Sequence, residues 1–161
     1  MKRILLVEDS ANDIELTLMA LAEHNLSNEV VVARDGEEAL DYLHRRGAFE
    51  SREKGNPTVV LLDLKMPRVD GLSVLREVRS DPELKLIPIV LLTSSDEESD
   101  VAEGYNLGVN AYVVKPVDFH EFVDAIKKVG LFWSVTNVAP PDAGGGSGSP
   151  SQLRRSGGIN P

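Results

Sequence analysis

The chain has 161 residues, of which 42% are hydrophobic and 27% charged, with a formal net charge of −9 and no cysteine. That composition supports one sizeable core and excludes disulfides and thiol chemistry. It also argues against nucleic acid or an anionic membrane as partner, since both need basic surface. No apolar run is long enough to span a bilayer, and Lys2-Arg3 leads into only "ILLV" before Glu8, so no signal peptide is read and the expected location is the cytoplasm.

Strand and helix patterns alternate along the chain. "RILLVE" (Arg3–Glu8) reads as a buried strand, followed by Ile14, Leu18, Leu21 and Ala22 at helical spacing. "EVVVA" (Glu29–Ala33) is the second strand, Asp35-Gly36 a turn, and Ala39, Leu40 and Leu43 the second helix. "TVVLLD" (Thr58–Asp63) is the third strand, and Leu72, Leu75 and Val78 place a short helix that stops near Ser80-Asp81-Pro82. "IPIVLLT" (Ile87–Thr93) is the fourth strand, followed by a polar helix through Val101, Tyr105 and Leu107 that opens on Asp96-Glu97-Glu98. "AYVVK" (Ala111–Lys115) is the fifth strand, and Phe119, Phe122, Val123, Ile126 and Val129 form the stripe of a last helix. Continuously apolar strands alternating with helices predict a parallel sheet covered on both faces. The expected fold is a doubly wound, flavodoxin-like α/β domain with strand order 2-1-3-4-5. The polar segment Arg45–Pro57 reads as an exposed loop. The expected domain covers residues 1–138, including an apolar extension at 130–138. A Gly/Ser/Pro-rich tail over 139–161 is read as disordered, with no second domain.

In such a sheet, ligands bind at the carboxyl ends of the strands, near the point where strand order reverses. Here those ends carry Glu8-Asp9, Asp63, Thr93 and Lys115. Crowded carboxylates repel unless a cation sits among them, and hard oxygen donors suit Mg²⁺. An ammonium and a hydroxyl nearby suit phosphoryl oxygens, and a carboxylate can itself be the nucleophile.

The set "LLVEDS", "LLDLKMP", "DG", "LLTSS" and "AYVVKP" resembles the receiver domain of two-component response regulators, over roughly residues 2–130. The resemblance implies a phosphorylation switch rather than an ordinary enzyme, with only autocatalytic phosphotransfer and dephosphorylation. It makes Asp63 the phosphoacceptor of a partner histidine kinase. Glu8 and Asp9 would be the acidic pair that holds Mg²⁺, with Asp9 the direct ligand and Glu8 acting through water. Lys65 would lend the metal its backbone carbonyl. Thr93 would be the switch hydroxyl, Lys115 the phosphoryl-pairing lysine, and Tyr112 the switch aromatic. The Lys115-Pro116 bond is expected to be cis. The loop "GAFESREKGNP" and the ending "GLFWSVTNVAPP" resemble single-domain receivers that serve bacterial phytochrome kinases.

Each residue also has a plainer reading. Asp63 alone would be a cap or turn acid, Asp9 a cap for a helix starting near Asn12, Thr93 a strand end, Lys115 a surface lysine and Tyr112 core packing. Their joint placement favours the site. His24, His44 and His120 lack metal-ligand spacing and read as inert. Leu131, Phe132 and Trp133 either pack back on the domain or form a homodimer contact with helix 4, strand 5 and helix 5. Rival functions are an aspartyl-phosphate phosphohydrolase, a flavodoxin-type electron carrier and a scaffold that is never phosphorylated. The first lacks a second acid two residues after Asp63, where Lys65 stands. The second lacks a Ser/Thr-rich loop at Ser10-Ala11-Asn12-Asp13. The complete motif set argues against the third.

Overall fold

Successive strand residues point to opposite faces of a sheet, so a strand apolar at every position needs cover on both sides. The computed structural model, which describes residues 3–22, 29–94 and 98–128, supplies that cover. Strands β1 (Arg3–Val7), β2 (Glu29–Ala33), β3 (Val59–Asp63), β4 (Ile89–Thr93) and β5 (Ala111–Val114) pair in parallel in the order 2-1-3-4-5. Helices α1 (Ala11–Ala22), α2 (Gly36–His44), α3 (Gly71–Ser80), α4 (Glu98–Asn106) and α5 (Phe119–Lys128) alternate with them. This is the expected doubly wound, flavodoxin-like arrangement.

The core is split by the sheet. Leu5, Val7, Val60, Leu62, Ile89 and Leu91 pack against α2 and α3. Their strand neighbours Ile4, Leu6, Val59, Leu61, Val90 and Leu92 pack against α1 and α5. Each such side chain, fully buried, contributes roughly 1.5–3 kcal/mol from removal of apolar surface from water.

Three features depart from the expected pattern. β5 alternates buried and exposed residues, because Ala111 and Val113 face α5 whereas Tyr112 and Val114 face outward. α4 sits on β4 instead, and a Cβ at its Gly104 would lie 2.6 Å from Leu91 Cδ1, so glycine lets the helix pack close without moving that side chain. The segment Arg45–Pro57 is not simply an exposed loop. It contains a 3₁₀ turn (Gly47–Phe49), Phe49 packs edge-on against Tyr42, and the Arg52 guanidinium lies 4.2 Å over the same ring. Arg52 also donates to the carbonyls of Tyr42, Glu53 and Gly55, which occupies the free end of α2. His44 is half-buried, and its Nε2 lies 2.9 Å from Glu77 Oε2 between α2 and α3. His24, Asp96 and Glu97 of the acidic turn, the extension with Leu131, Phe132 and Trp133, and the tail 139–161 lie outside the described residues.

Candidate functional site

The carboxyl end of β1 delivers the first acid. One residue past the strand, the Glu8 amide still donates to the Ala33 carbonyl at 3.0 Å, so the backbone keeps its extended course. The Glu8 side chain is therefore turned inward and is 0% exposed, whereas Asp9 is exposed. Glu8 Oε2 accepts from the Ser10 amide at 3.2 Å. Ser10 caps α1, its Oγ accepting from the Asp13 amide at 3.2 Å, so the capping role considered for Asp9 belongs to Ser10.

Asp63 ends β3 with 2% exposure. It does not cap α3. Asp70 does, through the Ser73 amide at 2.9 Å. The loop between them is closed by the Gly71 amide donating to the Leu64 carbonyl at 3.0 Å. A Cβ on Gly71 would lie 2.3 Å from the Asp63 carbonyl oxygen, so only glycine lets α3 begin against the end of β3.

Lys115 follows β5, its amide bonded to the Thr93 carbonyl at 2.7 Å and its peptide bond to Pro116 cis. Its ammonium reaches back over the sheet edge. Nζ lies 3.2 Å from Asp63 Oδ1, 3.2 Å from Glu8 Oε1 and 3.1 Å from Asp13 Oδ2. Thr93 is buried at the end of β4, and its Oγ1 donates to the Ser94 carbonyl at 3.0 Å. Tyr112 lies outside this cluster. It is 45% exposed, with its ring edge-on to Tyr105 at 6.1 Å, which overturns the core-packing reading. Lys65 stands on the β3–α3 loop with an exposed side chain.

The electrostatics follow from burial. Loss of water raises the Glu8 pKa to about 7, the Asp63 charge adds to the rise, and Lys115 opposes it. Burial also raises Asp63, again against the pull of Lys115. Burial works against the charge on Lys115, but its bond to Asp13 and the charges of Asp63 and Glu8 outweigh it and push its pKa up. Glu8, Asp9 and Asp63 each offer an oxygen within 4.8 Å of the others, a donor set of hard oxygens that fits a divalent cation.

Sequence reasoning missed Asp13. Its signal was a place in the first turn of a helix that begins at the carboxyl edge of the sheet. It also missed the support beneath the β3–α3 loop. Arg68, at φ 65°, pairs with Asp35, which caps α2 through the Glu38 amide. A Cβ on Gly36 would lie 2.2 Å from the Val69 carbonyl oxygen, so this loop is seated directly on the start of α2.

Comparisons with known proteins agree with this geometry. Residues 4–127 match the model of the response regulator receiver domain. The chain is 37% identical over 139 residues to the response regulator Rcp1 of Synechocystis, covering 86% of this chain and 93% of that one. The crystal structure of Mn(2+)-bound Rcp1 superposes with a TM-score of 0.69, covering 87% of this chain and 99% of that chain. The bacteriophytochrome response regulator RtBRR is 59% identical with a TM-score of 0.78, covering 97% of this chain and 90% of that chain. The phosphorylated cyanobacterial phytochrome response regulator RcpA is 41% identical with a TM-score of 0.69, covering 86% of this chain and 98% of that chain. No helix among the described residues is long and apolar enough to cross a membrane. Parallel strand order, strand-end acids and a match across most of the chain all point one way: this protein belongs to the response regulator receiver family, a family of two-component signalling proteins partnered by histidine kinases.

Proposed function

We propose that Asp63 is the phosphoacceptor. The observation that carries this reading is the buried Asp63 carboxylate with Lys115 Nζ at 3.2 Å and two further carboxylates beside it. A carboxylate oxygen of Asp63 attacks phosphorus, an O–P bond forms, and the P–N bond of the kinase phosphohistidine breaks with its electron pair staying on the imidazole nitrogen. Lys115 stands ready to donate to the phosphoryl oxygens. Glu8, Asp9, Asp63 and the Lys65 carbonyl would hold Mg²⁺, which when bound supplies positive charge opposite the incoming phosphoryl group. The Mn(2+)-bound form of Rcp1 supports a divalent cation here.

Phosphorylation then shifts a two-state equilibrium through Thr93 and Tyr112. Thr93 Oγ1 would exchange the Ser94 carbonyl for a phosphoryl oxygen, and Tyr112 would move inward from its exposed position. The likeness to the bacteriophytochrome response regulator RtBRR and the phytochrome response regulator RcpA supports a phytochrome-class histidine kinase as the partner. Tyr105, Tyr112 and Val114, all exposed on α4 and β5, support a homodimer through α4, β5 and α5, extended by Leu131, Phe132 and Trp133. Truncation after residue 130 should then shift the protein toward monomer in sizing experiments, and an unchanged elution would remove this extension from the interface.

Intact mass after incubation with a small phosphodonor and Mg²⁺ tests the central assignment. One added phosphoryl group is expected, absent from Asp63→Asn and absent with chelator. Labelling that persists in Asp63→Asn would place the acceptor elsewhere.

A further inference from the structure

Lys115 has three N–H donors, and the resting site engages them all with carboxylates. Their acceptors are Glu8 Oε1 at 3.2 Å, Asp13 Oδ2 at 3.1 Å and Asp63 Oδ1 at 3.2 Å. A phosphoryl group on Asp63 brings new anionic oxygens that compete for the same ammonium. One existing bond must give way, and the three differ in what their loss costs. Glu8 is fully enclosed, so losing Lys115 would strip its buried carboxylate of the ammonium that pairs with it, where bulk water cannot take its place. Asp63 is nearly as enclosed and carries the incoming group itself. The Asp13 side chain is 29% exposed and is hydrated again as soon as it is released. It also lies in the first turn of α1, where the helix dipole favours an unpaired negative charge.

We propose that Asp13 is a positioning residue that holds Lys115 over Asp63 in the resting site and releases it to the phosphoryl oxygens. The inference rests on the assignment of Asp63 and Lys115 made above. Asp13 therefore stabilises the unphosphorylated state alone, and its neutralisation favours the phosphorylated one. It also ties the first turn of α1 to the phosphorylation state, because that turn loses its tether to β5 when Lys115 moves.

The test is a ¹⁹F NMR titration with beryllofluoride and Mg²⁺, the fluoride complex standing in for the phosphoryl group. Wild type, Asp13→Asn, Asp13→Ser and Glu15→Gln are compared. Glu15 is exposed on the same helix and its substitution makes the same change in charge. Asp13→Asn and Asp13→Ser should bind about threefold to fivefold more tightly than wild type, the size of one partly exposed ion pair. Glu15→Gln should match wild type. Equal or weaker binding by both Asp13 variants overturns the proposal, as does equal tightening in Glu15→Gln, which would mark a general effect of charge. A wild type that fails to bind beryllofluoride would instead overturn the phosphoacceptor assignment, and this proposal with it.

Discussion

Replacing Glu8 by glutamine should stabilise the metal-free protein, although it removes a carboxylate from the site. Glu8 is fully buried, and burial first, then the charge on Asp63, lift its pKa from the ordinary 4.5 to about 7. A carboxyl whose folded pKa lies above its unfolded value holds its proton more tightly in the folded chain. The stability it contributes is full below about pH 4.5, falls as pH rises to about 7, and stays lost above that. A rise from 4.5 to about 7 corresponds to about 3 kcal/mol, at about 1.4 kcal/mol for each tenfold change in proton affinity. Exposed Asp9 beside it admits solvent, and a neutral amide oxygen accepts from Lys115 more weakly than a carboxylate does. The expected gain is therefore about 1–2 kcal/mol at pH 8. Glutamine keeps the shape and can still accept from the Ser10 amide. Urea denaturation in chelator, at pH 4.5 and pH 8, measures the difference. Glu8→Gln should exceed wild type at pH 8, the gap should shrink at pH 4.5, and Mg²⁺ should narrow it at pH 8 by stabilising wild type. A variant less stable than wild type at pH 8, or an equal gap at both pH values, would refute the reasoning.

Two further substitutions probe the elements that place the site. Gly71→Ala puts a Cβ 2.3 Å from the Asp63 carbonyl oxygen and 2.8 Å from Leu64 Cα. It should cost about 1–3 kcal/mol in urea denaturation and reduce phosphoryl labelling, and wild-type behaviour in both assays would show that α3 can retreat freely. Asp35 is held below the usual carboxylate pKa by the Glu38 amide, against burial, and by Arg68. A folded pKa below the unfolded one gives stability that is present above the unfolded value and lost as pH falls through the folded one. Asp35→Asn keeps a cap acceptor but loses the charge, so it should be about 0.5–1 kcal/mol less stable than wild type at neutral pH. That deficit should fade in acid and in high salt, and a deficit independent of both would rule out its electrostatic origin.

The comparison between sequence and structure turns on the range over which each residue's environment is set. Apolar runs, helical periodicity and turn residues are local, and they placed each described strand and helix to within a few residues. The strand ends were legible for the same reason. Once "LLVED", "VVLLD" and "IVLLT" are read as parallel strands, Glu8, Asp63 and Thr93 must emerge at one edge. Ser10 and Asp70 could be weighed as caps only once the helix starts were known to a residue. The segment Arg45–Pro57 reads as polar, yet Phe49 and Arg52 find Tyr42, a contact that periodicity does not encode.

The fold, the edge at which the acids gather and the lysine that answers them were thus determined by the sequence alone, because a buried parallel strand leaves its side chains no choice of face. What only the tertiary structure decided are pairings between distant segments. Asp13 joins Lys115, Arg68 joins Asp35, and α3 abuts the Asp63 carbonyl where Gly71 leaves room. β5 keeps Tyr112 outside because α4 rests on β4 instead. Each depends on the angle and separation at which elements pack, and those are set by the fit of many side chains together rather than by any one stretch of chain.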